Sequence, residues 1–204
     1  MGGSQIWLQP GEEMSVRDLM KGITMASAND ATVALAERIA GTEEAFVKLM
    51  NDKVKELGLK NTHFVNPTGL DEENHYSSAY DMAMIAKELL NHEQILEFSS
   101  VYEDYIRIDT PNSFWLVNTN KLVRFYEGAD GLKTGFTDNA KYCMAVTAKR
   151  DNMRLIAVVL GEESGKVRNS ETMELLDYGF NLYKVDLVKS KTDKVGTLKL
   201  DKST

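Results

Sequence analysis

Gly131-Leu132-Lys133-Thr134-Gly135-Phe136-Thr137 decides how the rest of this chain is read. It follows a turn-like run, Tyr126 to Asp130, and precedes two apolar segments, Tyr142 to Lys149 and Arg154 to Gly161, joined at Asp151-Asn152. Apolar runs on either side of a short polar joint predict a hairpin, with Lys133 to Thr137 heading a paired strand. There the Lys133 ammonium attracts an anionic or acyl ligand, the Thr134 hydroxyl can hydrogen-bond it, and Gly135 admits it close to the backbone. A phosphate loop is excluded, because that pattern needs glycine immediately before the lysine and Leu132 stands there. Far upstream, Ser27-Ala28-Asn29 places two short polar side chains at a break in helical period. Both can point into one cleft, and both are also residue types that helix joints prefer as caps.

Between these stretches, period and punctuation set the elements. Gln5 to Leu8 reads as a short strand or extended arm closed by Pro10-Gly11. Ser15-x-x-Asp18 resembles a capping box and opens a helix with Val16, Leu19, Met20 and Ile23 at helical spacing. That helix stops near Met25, and Asn29 or Asp30 caps a second one, through Val33, Leu35, Ala36, Ile39 and Ala40 to Gly41. A third helix spans Thr42 to Leu57 with Phe46, Val47, Met50 and Val54 as its apolar stripe. A loop from Leu59 to Ser77 carries the turn Asn66-Pro67-Thr68-Gly69. Ser78-x-x-Asp81 then caps a fourth helix, and a short one follows from Glu93 to Phe98. The period next changes to two: Tyr105 to Thr110 and Phe114 to Thr119 read as strands ahead of the hairpin. Ser164 to Tyr183 is a closing helix with Met173, Leu176, Phe180 and Tyr183 on its inner face. Helices first, then a sheet with a closing helix, predicts an α+β architecture. The expected division is a helical part over 12–100, a sheet part over 101–184 and a tail over 185–204. In that tail Val195, Leu198 and Leu200 alternate like the first strand of a further β-rich domain.

Composition narrows the function. A net charge of −7 argues against a nucleic-acid partner. No apolar run approaches the roughly 18 residues of a membrane span. The single cysteine, Cys143, cannot form an internal disulfide. His63, His75 and His92 show neither i,i+4 pairing nor the HExxH arrangement, so nothing points to a metal site or a Ser-His-Asp triad.

Several longer stretches carry a resemblance. They are Ser27-Ala28-Asn29-Asp30-Ala31, Leu57-Gly58-Leu59-Lys60-Asn61-Thr62-His63-Phe64 and Asn66-Pro67-Thr68-Gly69-Leu70. His75-Tyr76-Ser77-Ser78, Asp81-Met82-Ala83 and Gly131-Leu132-Lys133-Thr134-Gly135 complete the set. On these, from Gly2 to about Val185, the chain resembles the D-alanyl-D-alanine carboxypeptidases among low-molecular-mass penicillin-binding proteins. Within that family it resembles the sporulation-associated Gram-positive type. The resemblance implies a serine β-lactamase-like transpeptidase fold, incomplete at the N-terminus. The family's Ser-x-x-Lys element, source of nucleophile and base, is absent: no serine here has a lysine three positions later.

By the same resemblance Ser27 relays protons, Asn29 hydrogen-bonds the substrate amide and Lys133 contributes positive potential. Thr134 helps hold the terminal carboxylate, Gly135 and Thr137 line the substrate strand, and the Phe136 N–H serves an oxyanion hole. The implied activity is removal of the terminal D-alanine from peptidoglycan pentapeptides through a serine acyl-enzyme, with β-lactams as covalent inhibitors. No cofactor, metal or nucleic acid is implied. The implied location is extracytoplasmic, either secreted or attached to the outer face of the membrane. The chain alone is expected to be inert. It is also expected to need a missing N-terminal segment or a second copy to cover the helices at Val16–Ile23 and Val33–Ala40. A non-catalytic remnant that binds peptidoglycan or a partner, and a β-lactamase, are the alternatives.

Overall fold

Ser15, Thr42, Ser78 and Ser164 each start a helix in the same way, the side-chain oxygen accepting the backbone N–H three residues on. They open α1 (Val16–Ala26), α3 (Glu43–Glu56), α4 (Ala79–Leu89) and the closing helix α7 (Gly165–Leu182). The computed structural model describes residues 2–186 together with 188, 192, 194 and 196. The expected strand at Val195, Leu198 and Leu200 lies outside the described residues.

Helix α2 (Asn29–Ala40) differs from the sequence expectation, because Ala28 occupies its N-cap without any side-chain bond. Asn29 and Asp30 lie inside the first turn. The Asp30 carboxylate instead accepts the N–H groups of Ile6 (3.1 Å) and Leu8 (3.0 Å), holding residues 5–8 as an arm rather than a strand. Ile6 packs so closely on α1 that a Cβ added to Gly22 would lie 3.1 Å from it.

One core gathers Ile6, Leu19, Met25, Ala28 and Ala31 with Ile106 and Leu116 of a two-stranded antiparallel ribbon, β1 (Glu103–Ile106) and β2 (Phe114–Val117). The expected strand to Thr110 stops at Ile106. Arg107 takes a left-handed φ of 55°, and its guanidinium bonds both carboxylate oxygens of Glu12 (2.5 and 3.0 Å) and the Ile6 carbonyl (2.9 Å). The inner sides of α1 and α2 are covered only in part, with Met20, Ile23 and Leu35 half-buried. Leu19, Met25, Val33 and Ala36 are buried, while Val16 and Ile39 stay exposed. On α3 only Val54 of the expected stripe is buried.

After a 3-10 turn (Glu93–Ile95) and α5 (Leu96–Ser99), the chain passes through β1, β2 and the short α6 (Leu122–Phe125), which sequence periodicity did not reveal. It then forms the sheet β3 (Ala129–Thr137), β4 (Lys141–Arg150) and β5 (Met153–Glu162), antiparallel in the order β3-β4-β5. Leu176 of α7 closes a second core with Leu122, Tyr126, Met144, Val146, Ala148 and Ala157. Met173 and Phe180 flank it, whereas Tyr183 lies beyond the helix end and is exposed, so the inner face stops at Phe180. No helix among the described residues is long and apolar enough to cross a membrane.

Two fully buried asparagines connect the halves. Asn118 donates to the carbonyls of Ser99 (3.0 Å) and Val101 (2.8 Å) and accepts the Asn120 N–H. Asn120 donates to the Gly131 carbonyl (3.0 Å) and accepts the Leu122 N–H, opening α6 and anchoring the start of β3. Their position fixes where the strand with the Lys-Thr-Gly stretch begins.

Candidate active site

The joint between α1 and α2 is made by Ser27 in the left-handed conformation, φ 59° and ψ 39°. Such a conformation costs a non-glycine residue about 1–3 kcal/mol and persists only where the surroundings enforce it. Here it reverses the chain and presents the Ser27 hydroxyl to the sheet, where Lys133 Nζ donates to it at 2.9 Å. The two short motifs, 106 residues apart, thus meet side chain to side chain. Lys133 gives a second N–H to the Thr134 carbonyl at 2.5 Å. One of its three donors is left for a ligand.

Both residues line a cavity of about 1270 Å³ walled by the helix joint, the 66–77 segment and the end of β3. Asn29, Thr134, Gly135, Phe136 and Thr137 line it too, so every residue singled out in the sequence reaches one cleft. Their present bonds differ. Thr134 is buried and donates to the Thr119 hydroxyl at 2.7 Å. The Asn29 amide donates to the Gly2 carbonyl at 2.9 Å, a bond that a substrate amide would have to replace. The Phe136 side chain is exposed and its ring packs on Tyr142, with centroids 4.5 Å apart.

Two cations dominate the electrostatics. Burial, followed by the nearby Arg168 guanidinium, brings the Lys133 pKa down to about 8. Burial also lowers that of Arg168, on the first turns of α7. Arg168 donates to Asn169 Oδ1 at 3.2 and 2.9 Å, and no carboxylate among the described residues neutralises either cation. Neither cation is paired, although Asp71 and Glu72 also line the cavity, so the space beside Lys133 and Arg168 favours an anion. Sequence reading missed Arg168. The signal was its i,i+4 spacing to Thr172 and Leu176, which places it on the buried stripe of α7. Thr119 gave no signal of its own. No group of three or more His, Cys, Asp or Glu among the described residues could hold a metal ion.

The Lys133 shift predicts opposite pH trends for binding and stability. Below about pH 8 the folded and unfolded states both carry the proton, and the folded state bears the cost of a buried ammonium. Between about 8 and the ordinary value of 10.5 only the folded state has released it, so stability rises with pH by up to about 3 kcal/mol. Affinity for an anionic ligand should fall over the same window. Urea unfolding and ligand titration at stepped pH would test this, and parallel trends would contradict it.

With that geometry established, comparison with known proteins is specific. Residues 1–164 match the peptidase family described as D-alanyl-D-alanine carboxypeptidase. The D-alanyl-D-alanine carboxypeptidase DacF of Bacillus subtilis is 57% identical over 202 residues, covering 99% of this chain and 52% of that protein. Penicillin binding protein 5 from Haemophilus influenzae superposes with a TM-score of 0.81 at 39% identity, over 88% of this chain and 52% of that one. Penicillin-Binding Protein D2 from Listeria monocytogenes, solved in its cefotaxime-bound form, gives 0.74 at 37% identity, over 82% of this chain and 67% of that one. The chain spans about half the length of the curated relatives it matches. The mixed helix and sheet arrangement is the penicillin-binding protein fold.

Proposed function

The chain belongs to the D-alanyl-D-alanine carboxypeptidase family, and from that premise we propose that it forms the substrate-holding side of a serine carboxypeptidase site. Its substrate is the terminal D-alanyl-D-alanine of peptidoglycan pentapeptides, and penicillins acylate the same site. The observation that carries this reading is the placement of Lys133, Arg168 and the Ser27 hydroxyl in one cleft, with no carboxylate paired to either cation. A peptide ending in a free carboxylate supplies that charge.

In this reading Lys133 and Arg168 attract the carboxylate and Thr134 hydrogen-bonds it. Asn29 turns from Gly2 to the substrate amide, and Ser27 passes a proton between Lys133 and the reacting groups. The Phe136 backbone N–H, with Gly135 and Thr137 beside it on the strand, stabilises the developing oxyanion. The acyl-forming serine comes from a Ser-x-x-Lys segment, which these 204 residues do not contain. The chain by itself therefore binds and does not hydrolyse. Residues 1–184 act as the peptidase part, outside the cytoplasmic membrane where peptidoglycan lies.

The test is titration of the chain with N-acetyl-L-lysyl-D-alanyl-D-alanine and with its C-terminal amide. The carboxylate form should bind at least about tenfold more tightly, the value of one charge-assisted contact. Equal affinity for the two peptides would sink the reading.

A further inference from the structure

Asp71 lies far from Ser27 and Lys133 in sequence and bears no obvious motif, yet its carboxylate spans the rim of the cleft. Oδ1 accepts the Thr137 hydroxyl at 2.7 Å, and Oδ2 accepts the Asn139 N–H at 3.2 Å. The Thr137 hydroxyl also accepts the Ala140 N–H at 3.0 Å. One carboxylate and one hydroxyl therefore bind the tight turn between β3 and β4 to the segment carrying Asp71. These partners are 66 and 68 residues apart.

Asp71 is held from a pre-formed turn. Asn66 Oδ1 accepts the Gly69 N–H (2.7 Å) and the Thr68 hydroxyl (3.0 Å), while its amide donates to the Leu70 carbonyl (2.9 Å). Gly69 adopts a φ of 80°, which suits glycine in such a turn. The backbone leading into Asp71 is thus ordered by its own turn.

We propose that Asp71 is a positioning residue whose carboxylate straps the β3–β4 turn and fixes the strand along which the ligand is aligned. Side chains alternate along β3, so Thr137 lies on the same side as Lys133 and Gly135. Restraining Thr137 restrains the edge that carries the candidate oxyanion donor and the Lys133 ammonium. This role rests on reading the cleft as the carboxylate site. The hydrogen bonds themselves are solvent-exposed. Exposed bonds add little to global stability but can decide the position of a short turn.

The experiment compares wild type, Asp71→Ala and Asp71→Asn of this chain. Amide hydrogen exchange at Gly135, Phe136 and Thr137 is measured beside affinity for N-acetyl-L-lysyl-D-alanyl-D-alanine. Asp71→Ala should speed exchange at those three amides and weaken the tripeptide by about three- to tenfold, with an unchanged thermal midpoint. Asp71→Asn should fall between, since its amide keeps an acceptor for the Thr137 hydroxyl but turns an NH2 toward the Asn139 N–H. Acceleration confined to Asn139 and Ala140, or wild-type affinity in Asp71→Ala, would overturn the proposal. If wild type fails to bind the tripeptide, the functional reading falls, and exchange at 135–137 alone decides the strap.

Discussion

Lys133→Ala is expected to slow acylation by a fluorescent penicillin about ten- to a hundredfold, the loss of one charge-assisted hydrogen bond worth roughly 1.5–3 kcal/mol. The assay needs a protein of family length, in which this chain is joined to a Ser-x-x-Lys segment. Removing a buried, desolvated ammonium also removes a cost to the folded state, so the thermal midpoint should hold or rise. Activity and stability then move in opposite directions, which a merely structural lysine would not produce. Lys133→Arg should not restore the rate. A planar guanidinium cannot reproduce a point charge donating to both Ser27 Oγ and the Thr134 carbonyl, and Arg168 already stands nearby. Near-wild-type labelling in Lys133→Ala would remove this residue from the site.

The largest stability losses are expected at Asn118 and Asn120, away from the cleft. Both are fully buried, and each satisfies backbone groups that have no route to water. Truncation to alanine leaves carbonyls at Ser99 and Val101, or at Gly131, without these donors and opens a small void. Each unsatisfied group costs about 1–3 kcal/mol, so each variant should lose about 2–4 kcal/mol. Urea unfolding should show lower midpoints at unchanged slope. Because domains are stable by only about 5–15 kcal/mol, the double variant should lose a large share of the total, up to about 4–8 kcal/mol. A shift below about 0.5 kcal/mol in either single variant, typical of a surface site, would show these asparagines to be spectators.

Local signals proved legible where one short-range force sets the outcome. The Ser15, Ser78 and Ser164 starts, the Asp151-Asn152 turn and the β4–β5 hairpin all depend on neighbours a few residues away. The resemblance carried the fold and brought Ser27, Asn29 and Lys133 into one reading. Long-range competition hid the rest. Asp30 leaves its expected capping role because the Ile6 and Leu8 N–H groups claim its carboxylate. β1 ends early because Arg107 turns to Glu12, far away in the chain. Arg168 drew no reading at all, since its burial depends on the sheet beneath it. Asn118, Asn120 and Asp71 act through carbonyls, N–H groups and hydroxyls that no pattern of side-chain types encodes.

The contact between Ser27 and Lys133 also bears on the order in which the molecule assembles. It closes across 106 residues, while Arg107 reaches Glu12 across 95 and Thr137 reaches Asp71 across 66. Closing long chain segments must precede any gain from such contacts, and chains dominated by them fold slowly. Helices α1 to α4 and the β4–β5 hairpin can form from local sequence, but the cleft exists only once the two have docked. Its polar contacts are therefore consolidated late. Changes confined to them should act mainly on the rate at which the native state opens, leaving the rate of its formation nearly untouched.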